Sequence, residues 1–99
     1  MIESMKHHFA ADVYVREGNI QAGMRVQKHV HTYDHVSILA KGLAVVLVEG
    51  VMTPYIAPQV ITIKANTPHE VLAVTDVTWY CIHGTTDEID DMDTVKITE

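Results

Sequence analysis

The sequence has a single cysteine, Cys81, in 99 residues. An internal disulfide framework is therefore excluded, and this usage suits a reducing cytosol. Long apolar runs are also missing. The longest is Leu43 to Val48, far short of the roughly 20 residues that a membrane-spanning helix needs. The opening residues Met1-Ile2-Glu3-Ser4-Met5-Lys6 lack the apolar segment of a secretory signal, so a cytoplasmic protein is expected. Positive charge is scarce: seven Lys and Arg stand against thirteen Asp and Glu, a formal net charge of −6. Nucleic acid and anionic membrane surfaces both require a cationic face, so neither is expected as a partner. There are no internal repeats and no low-complexity stretch. The sequence shows no phosphate-binding glycine loop and no Ser/His/Asp set, and no side chain stands out as a general base.

At 11.1 kDa the chain makes one domain, residues 1–99. Gly18-Asn19, Gly23, Lys41-Gly42, Glu49-Gly50, Pro54, Pro58, Asn66-Thr67-Pro68 and Gly84 divide it into segments rich in Val, Ile, Thr and Tyr. Such short segments at this spacing read as an all-β sandwich or barrel. Strands are expected near 12–17, 20–31, 35–40, 43–49, 51–56, 59–64, 70–74 and 77–83. Gly18-Asn19 and Glu49-Gly50 are the best hairpin signals, because glycine accepts positive φ. Residues 87–93 hold five of the thirteen acids, and with the rest of 87–99 they read as an acidic tail or a short helix.

Histidine is the residue in excess, seven of 99. His29 and His31 are two apart, so on a regular strand they share a face. His35 follows across a bend at 32–34, and His69 comes after Pro68 at the start of a distant strand. Four imidazoles converging on one point make a site for Zn, Cu, Ni, Fe or Mn. Taken alone, His-x-His on a strand is more often a pair of exposed polar side chains.

The spacing decides how the four histidines are read. Gly23, five residues, His29, one residue, His31, three residues, His35, six residues and Gly42 resemble the first motif of the cupins, Gly-x5-His-x-His-x3-Glu-x6-Gly. Only the Glu differs, replaced by His35. The second cupin motif is weakly kept: His69 matches its histidine, while Pro58, Lys64, Asn66 and Ala73 stand in place of its Gly, Pro, Gly and Asn. Asn66 tolerates the left-handed backbone that the second glycine would supply. The resemblance runs from residue 23 to about 83, about 60% of the chain. It implies a cupin-type double-stranded β-helix, or jelly-roll barrel. The set His-x-His-x3-His…His is similar to that of small microbial four-histidine cupins. The ending Trp79-Tyr80-Cys81-Ile82-His83 is similar to short phage and prophage cupins, so a bacterial or phage-infected cell is the implied setting.

The resemblance implies that His29, His31, His35 and His69 bind one divalent transition metal (Mn, Fe, Ni, Cu or Zn). With four neutral ligands the ion keeps a charge of about +2, which favours anionic or chelating ligands. An octahedral ion would keep two positions for substrate and dioxygen, whereas a tetrahedral zinc would be saturated by the protein. The implied function is a small metal-dependent oxidoreductase, dioxygenase-like, or an isomerase or lyase, acting on a small chelating carbonyl or carboxylate compound. The alternative is a non-catalytic cupin holding a metal or small ligand. Further pocket candidates are Cys81 and His83 on the last strand, Gln27 and Arg25 by parity with His29, and Tyr33 in the bend. An open barrel leaves sheet edges to cover, so a homodimer is expected, with the segment 1–15 (Phe9, Val13, Tyr14) adding a strand to the partner's sheet.

Overall fold

A computed structural model describes residues 4–30, 34–84 and 97–98; the side chains of Ser4 and of residues 27–29 and 97–98 lie outside the description. The expected tail or helix at 87–93 also falls outside it. Among the described residues there are ten strands: β1 Ser4–Ala10, β2 Val13–Ile20, β3 Arg25–His29, β4 His35–Lys41, β5 Leu43–Val48, β6 Val51–Ile56, β7 Gln59–Ile63, β8 His69–Ala73, β9 Val77–Gly84 and β10 Ile97–Thr98. Among the described residues there is no helix, hence none able to cross a membrane.

The strands form two five-stranded sheets, ordered β1-β2-β9-β4-β7 and β10-β3-β8-β5-β6, with every pairing antiparallel. Two connections are hairpins: β1–β2 through Ala11 and Asp12, and β5–β6 through Glu49 and Gly50. Both place two successive residues at positive φ, from 50° to 82°. That backbone twist matches the twist of the flanking strands. Every other connection carries the chain from one sheet to the other. This winding closes the jelly roll, so the all-β barrel expected from the sequence is the fold observed.

Strict alternation assigns the inner faces. On β2 Tyr14, Arg16, Gly18 and Ile20 are buried, and on β9 Val77, Trp79, Cys81 and His83 are. Paired residues share a face of the sheet, so the register sorts the interior into rows. Gly18, Trp79 and Leu39 lie side by side across β2, β9 and β4; Arg16, Cys81 and Ser37 form the next row. Tyr14 and His83 follow one row further. Polarity thus rises along the barrel. At one end Ile20, Leu39, Val77 and Trp79 pack against Val26, Ala44, Val46, Val71 and Ala73 of the facing sheet. At the other end the inner face carries Arg16, Ser37, Cys81, His35, His69 and His83.

Two local expectations are corrected. Gly18-Asn19 is not a hairpin but lies inside β2. Gly18 is packed where an added Cβ would meet Met5 Sδ at 3.4 Å and the Trp79 carbonyl at 3.6 Å. Asn19 Oδ1 accepts from Thr78 Oγ1 at 3.0 Å on β9. The sheet thus absorbs a local turn propensity, and the chain turns after β2 instead, with Gly23 at φ 87°. The second concerns the segment 1–15, expected to add a strand to a partner's sheet. Residues 4–10 pair with β2 of the same chain along seven residues and make the edge of that sheet.

Candidate metal and ligand centre

His35 and His69 come from opposite sheets and meet inside the polar end of the barrel. Both are buried, and their ring centroids are 5.6 Å apart. The connections hold them in place. Asp34, immediately before His35, accepts from the Ala65 backbone N–H at 2.7 Å through Oδ1. Ala65 begins the turn that delivers His69, and Asn66 supplies its left-handed residue at φ 59°. The residue before one histidine is therefore tied to the turn before the other.

The turn also orients the His69 ring. Its Nδ1 donates to the Thr67 carbonyl at 3.0 Å, which puts the proton on Nδ1 and the lone pair on Nε2. Burial chiefly pulls the His69 pKa below its ordinary value, against the raising effect of the Thr67 bond; His35 and the Arg16 charge lower it further. His69 is thus a neutral imidazole with a basic Nε2, the form a metal takes.

The remaining expected ligands are less fully placed. The backbone of His29 pairs directly with His69; its side chain, and all of His31 and Tyr33, lie outside the described residues, as does the side chain of Gln27. Among the described residues no group of three or more metal-type side chains is assembled. The spacing of the two placed imidazoles is compatible with a shared ion. Rings bound through nitrogen at about 2.1 Å have centroids about 4.5–6.5 Å apart, depending on the angle at the ion, and 5.6 Å falls within that span.

β3 carries a register shift between Val26 and His29, with one residue more on β3 than on β8. This bulge breaks the two-residue repeat, so parity with His29 does not extend back to Arg25. Arg25 is exposed, and its Nε lies 3.7 Å from Glu70 Oε2 on the outer face. The expectation that Arg25 points inward is corrected for that reason.

Cys81 and His83 both belong to the buried set of β9. His83 Nδ1 donates to the Gly84 carbonyl at 2.9 Å, and its ring stands edge-on to Tyr14 at 5.0 Å. Cys81 Sγ accepts from Arg16 Nη2 at 3.1 Å and hydrogen-bonds with Ser37 Oγ at 3.7 Å. Tyr14, fully buried, hydrogen-bonds through its hydroxyl with His7 Nδ1 at 2.8 Å. Arg16, Ser37 and Tyr14 escaped the sequence reading. The available signal was the alternation of Tyr14-Val15-Arg16-Glu17-Gly18 on the strand paired with Trp79-Tyr80-Cys81; it needed the register that only the fold supplies.

No family model matches the sequence, and no curated protein matches it. Solved structures do. KdgF from Halomonas sp. superposes with a TM-score of 0.77 at 18% sequence identity, covering 91% of this chain and 83% of that one. A cupin superfamily protein from Desulfitobacterium hafniense DCB-2 gives 0.75 at 13%, covering 83% and 76%. Salicylate 1,2-dioxygenase from Pseudoaminobacter salicylatoxidans, solved with gentisate, gives 0.77 at 10%, covering 97% of this chain but 28% of that one. At these identities the likeness is one of fold: the chain has the cupin jelly roll.

Proposed function

We propose that this chain is a small metal-binding cupin, a mononuclear metal-dependent oxidoreductase of dioxygenase-like type acting on a small chelating carbonyl or carboxylate compound. The observation that carries the reading is the meeting of His35 and His69 from opposite sheets at 5.6 Å, both buried. His29 and His31 complete the ligand set in this reading, with His29 paired to His69 through the backbone. When bound, such an ion supplies Lewis-acid polarisation of the substrate and a redox centre for dioxygen. The protein's own residues do the rest. Thr67 fixes the His69 tautomer. Tyr14, Arg16, Ser37, Cys81 and His83 offer donors and acceptors on the wall that His35 shares. The apolar end closes the barrel beneath them. The cytoplasm is the proposed location.

The test is elemental analysis of protein purified without a tag or added metal, followed by an oxygen-uptake screen over 2-oxo acids and hydroxylated aromatic acids. Near one equivalent of Fe, Mn, Ni or Cu per chain, lost in His35→Ala and His69→Ala, with oxygen uptake on one compound class, is expected. No metal at purification and none after reconstitution would overturn the reading. A second reading, a non-catalytic metal and ligand binder, is favoured by one feature: the described buried set contains no carboxylate to act as a base. Metal with no oxygen uptake across the screen would select it.

We also propose a homodimer. Its supporting feature is the outer face of the β5–β6–β8 region. Leu43, Val45 and Leu47 stand beside Ile56, Pro54 and Met52, with Leu72 next to Val45. Met52 and Ile56 are 64% and 72% exposed. The solvent face of an antiparallel sheet is ordinarily polar, whereas a two-fold partner would cover this one. Sedimentation equilibrium should give a dimer that Leu47→Lys converts to monomer; a monomeric parent protein would refute it.

A further inference from the structure

At the apolar end of the barrel, away from His35 and His69, the outer surface holds a hollow of about 230 Å³. It lies among the ends of β2 and β4 and the start of β9, and Asn19, Gln21, Lys41, Asp76 and Thr78 supply its polar groups. A β-bulge puts the lysine there. β4 and β9 slip by one residue between Leu39 and Lys41, so Lys41 stands opposite Thr78 where Ala40 would otherwise be. Thr78 pairs in turn with Asn19. Paired residues share a face of the sheet, and Asn19 and Thr78 alternate with the buried Ile20, Val77 and Trp79. The bulge thus moves an ammonium into an outer row of amide and hydroxyl, a re-aiming that bulges commonly perform beside sites. Asp76 stands at the entry to β9. Its Oδ1 accepts from the Ala22 N–H at 2.9 Å, which fixes the carboxyl group and leaves Oδ2. Asn19 is fixed as well, accepting from Thr78 Oγ1 at 3.0 Å and donating to Glu17 Oε2 at 2.9 Å. Lys41 and Asp76 do not neutralise each other. Among the described residues the ion pairs are His8 with Glu17 and Arg25 with Glu70, and no hydrogen bond engages the Lys41 ammonium or the Gln21 side-chain amide.

We propose that this hollow is a binding site for a small polar zwitterion of the α-amino acid class, its carboxylate on Lys41 and its ammonium on Asp76, with Gln21 and Thr78 hydrogen-bonding to its side chain. The charges select this class. One cation and one anion around the same hollow sum to zero, so a ligand of a single sign is drawn by one and opposed by the other. A zwitterion gains from both. An apolar ligand would take the ammonium, carboxylate and amide out of water with no partners in return. A phosphate dianion would need a second cation or a nest of backbone N–H groups, and Asp76 would repel it. Lys41, Asp76 and Gln21 are exposed, so each contact contributes little by itself. Selectivity between ligands, rather than tight binding, is therefore the signature. The site is separate from the histidine centre and needs no ion.

The experiment is titration of the tag-free full chain with L-serine, followed by the backbone amide signals in nitrogen–proton correlation spectra. Ethanolamine, which is serine without its carboxylate, and 3-hydroxypropionate, which is serine without its ammonium, are titrated in parallel. Serine should shift the amides of residues 19–22, 41–42 and 76–78 saturably, and should bind about threefold to fivefold more tightly than either analogue, the yield of one exposed ion pair. Two variants assign the ends. Lys41→Gln should bring serine down to the affinity of ethanolamine. Asp76→Asn keeps an oxygen for the Ala22 N–H and should bring serine down to the affinity of 3-hydroxypropionate. If either variant does not fold, the ranking of the three ligands on the unmodified protein decides. No saturable shift at those amides overturns the proposal, as does an analogue that binds as tightly as serine. Shifts confined to the surroundings of His35 and His69 would place serine at the histidine centre and also overturn it.

Discussion

Replacing Gly42 by alanine separates two costs that the fold combines at the crossing from β4 to β5. Gly42 has φ 91°, and a Cβ there would run into the Asp76 carbonyl oxygen, with Thr75 Oγ1 at 2.8 Å and Val77 Cγ2 at 3.0 Å. Those atoms belong to a turn already fastened to this junction: Val74 N–H donates to the Leu43 carbonyl at 2.9 Å, and Leu43 N–H to Thr75 Oγ1 at 2.9 Å. They cannot retreat without breaking those bonds. Gly50 is the control, since it has φ 82° and nothing within 4 Å of its Cβ position. Left-handed backbone costs a non-glycine residue about 1–2 kcal/mol, partly offset by about 0.4–1 kcal/mol from a stiffer unfolded chain. Gly50→Ala should therefore lose about 1 kcal/mol, or roughly 4–8 °C in Tm. Overpacking adds about 1–3 kcal/mol, so Gly42→Ala should lose about 3 kcal/mol, roughly 12–24 °C. Thermal melts by circular dichroism measure both. Equal shifts would show that the turn at 74–76 yields freely and would refute the steric argument.

Two further outcomes follow from the interior. His69 is held neutral by burial, so its folded pKa lies below its unfolded value near 6.5 and the unfolded chain binds the proton more readily. Its contribution is fully present above about pH 6.5 and falls as pH drops toward the folded pKa, by at most about 1.4 kcal/mol per pH unit. Chemical denaturation of metal-free protein between pH 7.5 and 5 checks this, and a His69→Gln variant should flatten the slope. Leu39, fully buried and paired with Trp79, should cost about 2–5 kcal/mol as alanine. It sits a row away from Ser37 and Cys81 toward the apolar end, so any metal content per folded chain should be unchanged.

Legibility in the sequence varied by element. The strands from β4 to β9 were placed to within a residue, because most are short β-branched runs bounded by a glycine, proline or asparagine turn. By the same logic β1 was legible only as part of a segment free to add a strand to a sheet, not as a strand of its own chain. Its His7, His8 and Phe9 are exposed at the sheet edge, so no buried face imposes an apolar alternation on it. Gly18-Asn19 misled because a two-residue signal is weak against seven paired residues on the β1 side of β2 and eight on the β9 side. At the site, His35 and His69 were legible from motif spacing and the structure brings them together. Arg25 was not, since its orientation turned on a bulge that parity cannot show.

The sequence alone determined the all-β architecture and the expectation that His35 and His69 come together, as their rings do at 5.6 Å. Period-two alternation, turn residues and motif spacing are local properties that residue identity carries directly. Only the tertiary structure decided what surrounds that pair. Arg16 and Cys81 are 65 residues apart, and nothing in their spacing predicts a contact. Antiparallel register sets them side by side on β2 and β9, and closure of the jelly roll turns that row inward. A charge that the sequence would put on the surface thereby becomes the one permanent charge among the described residues of the interior.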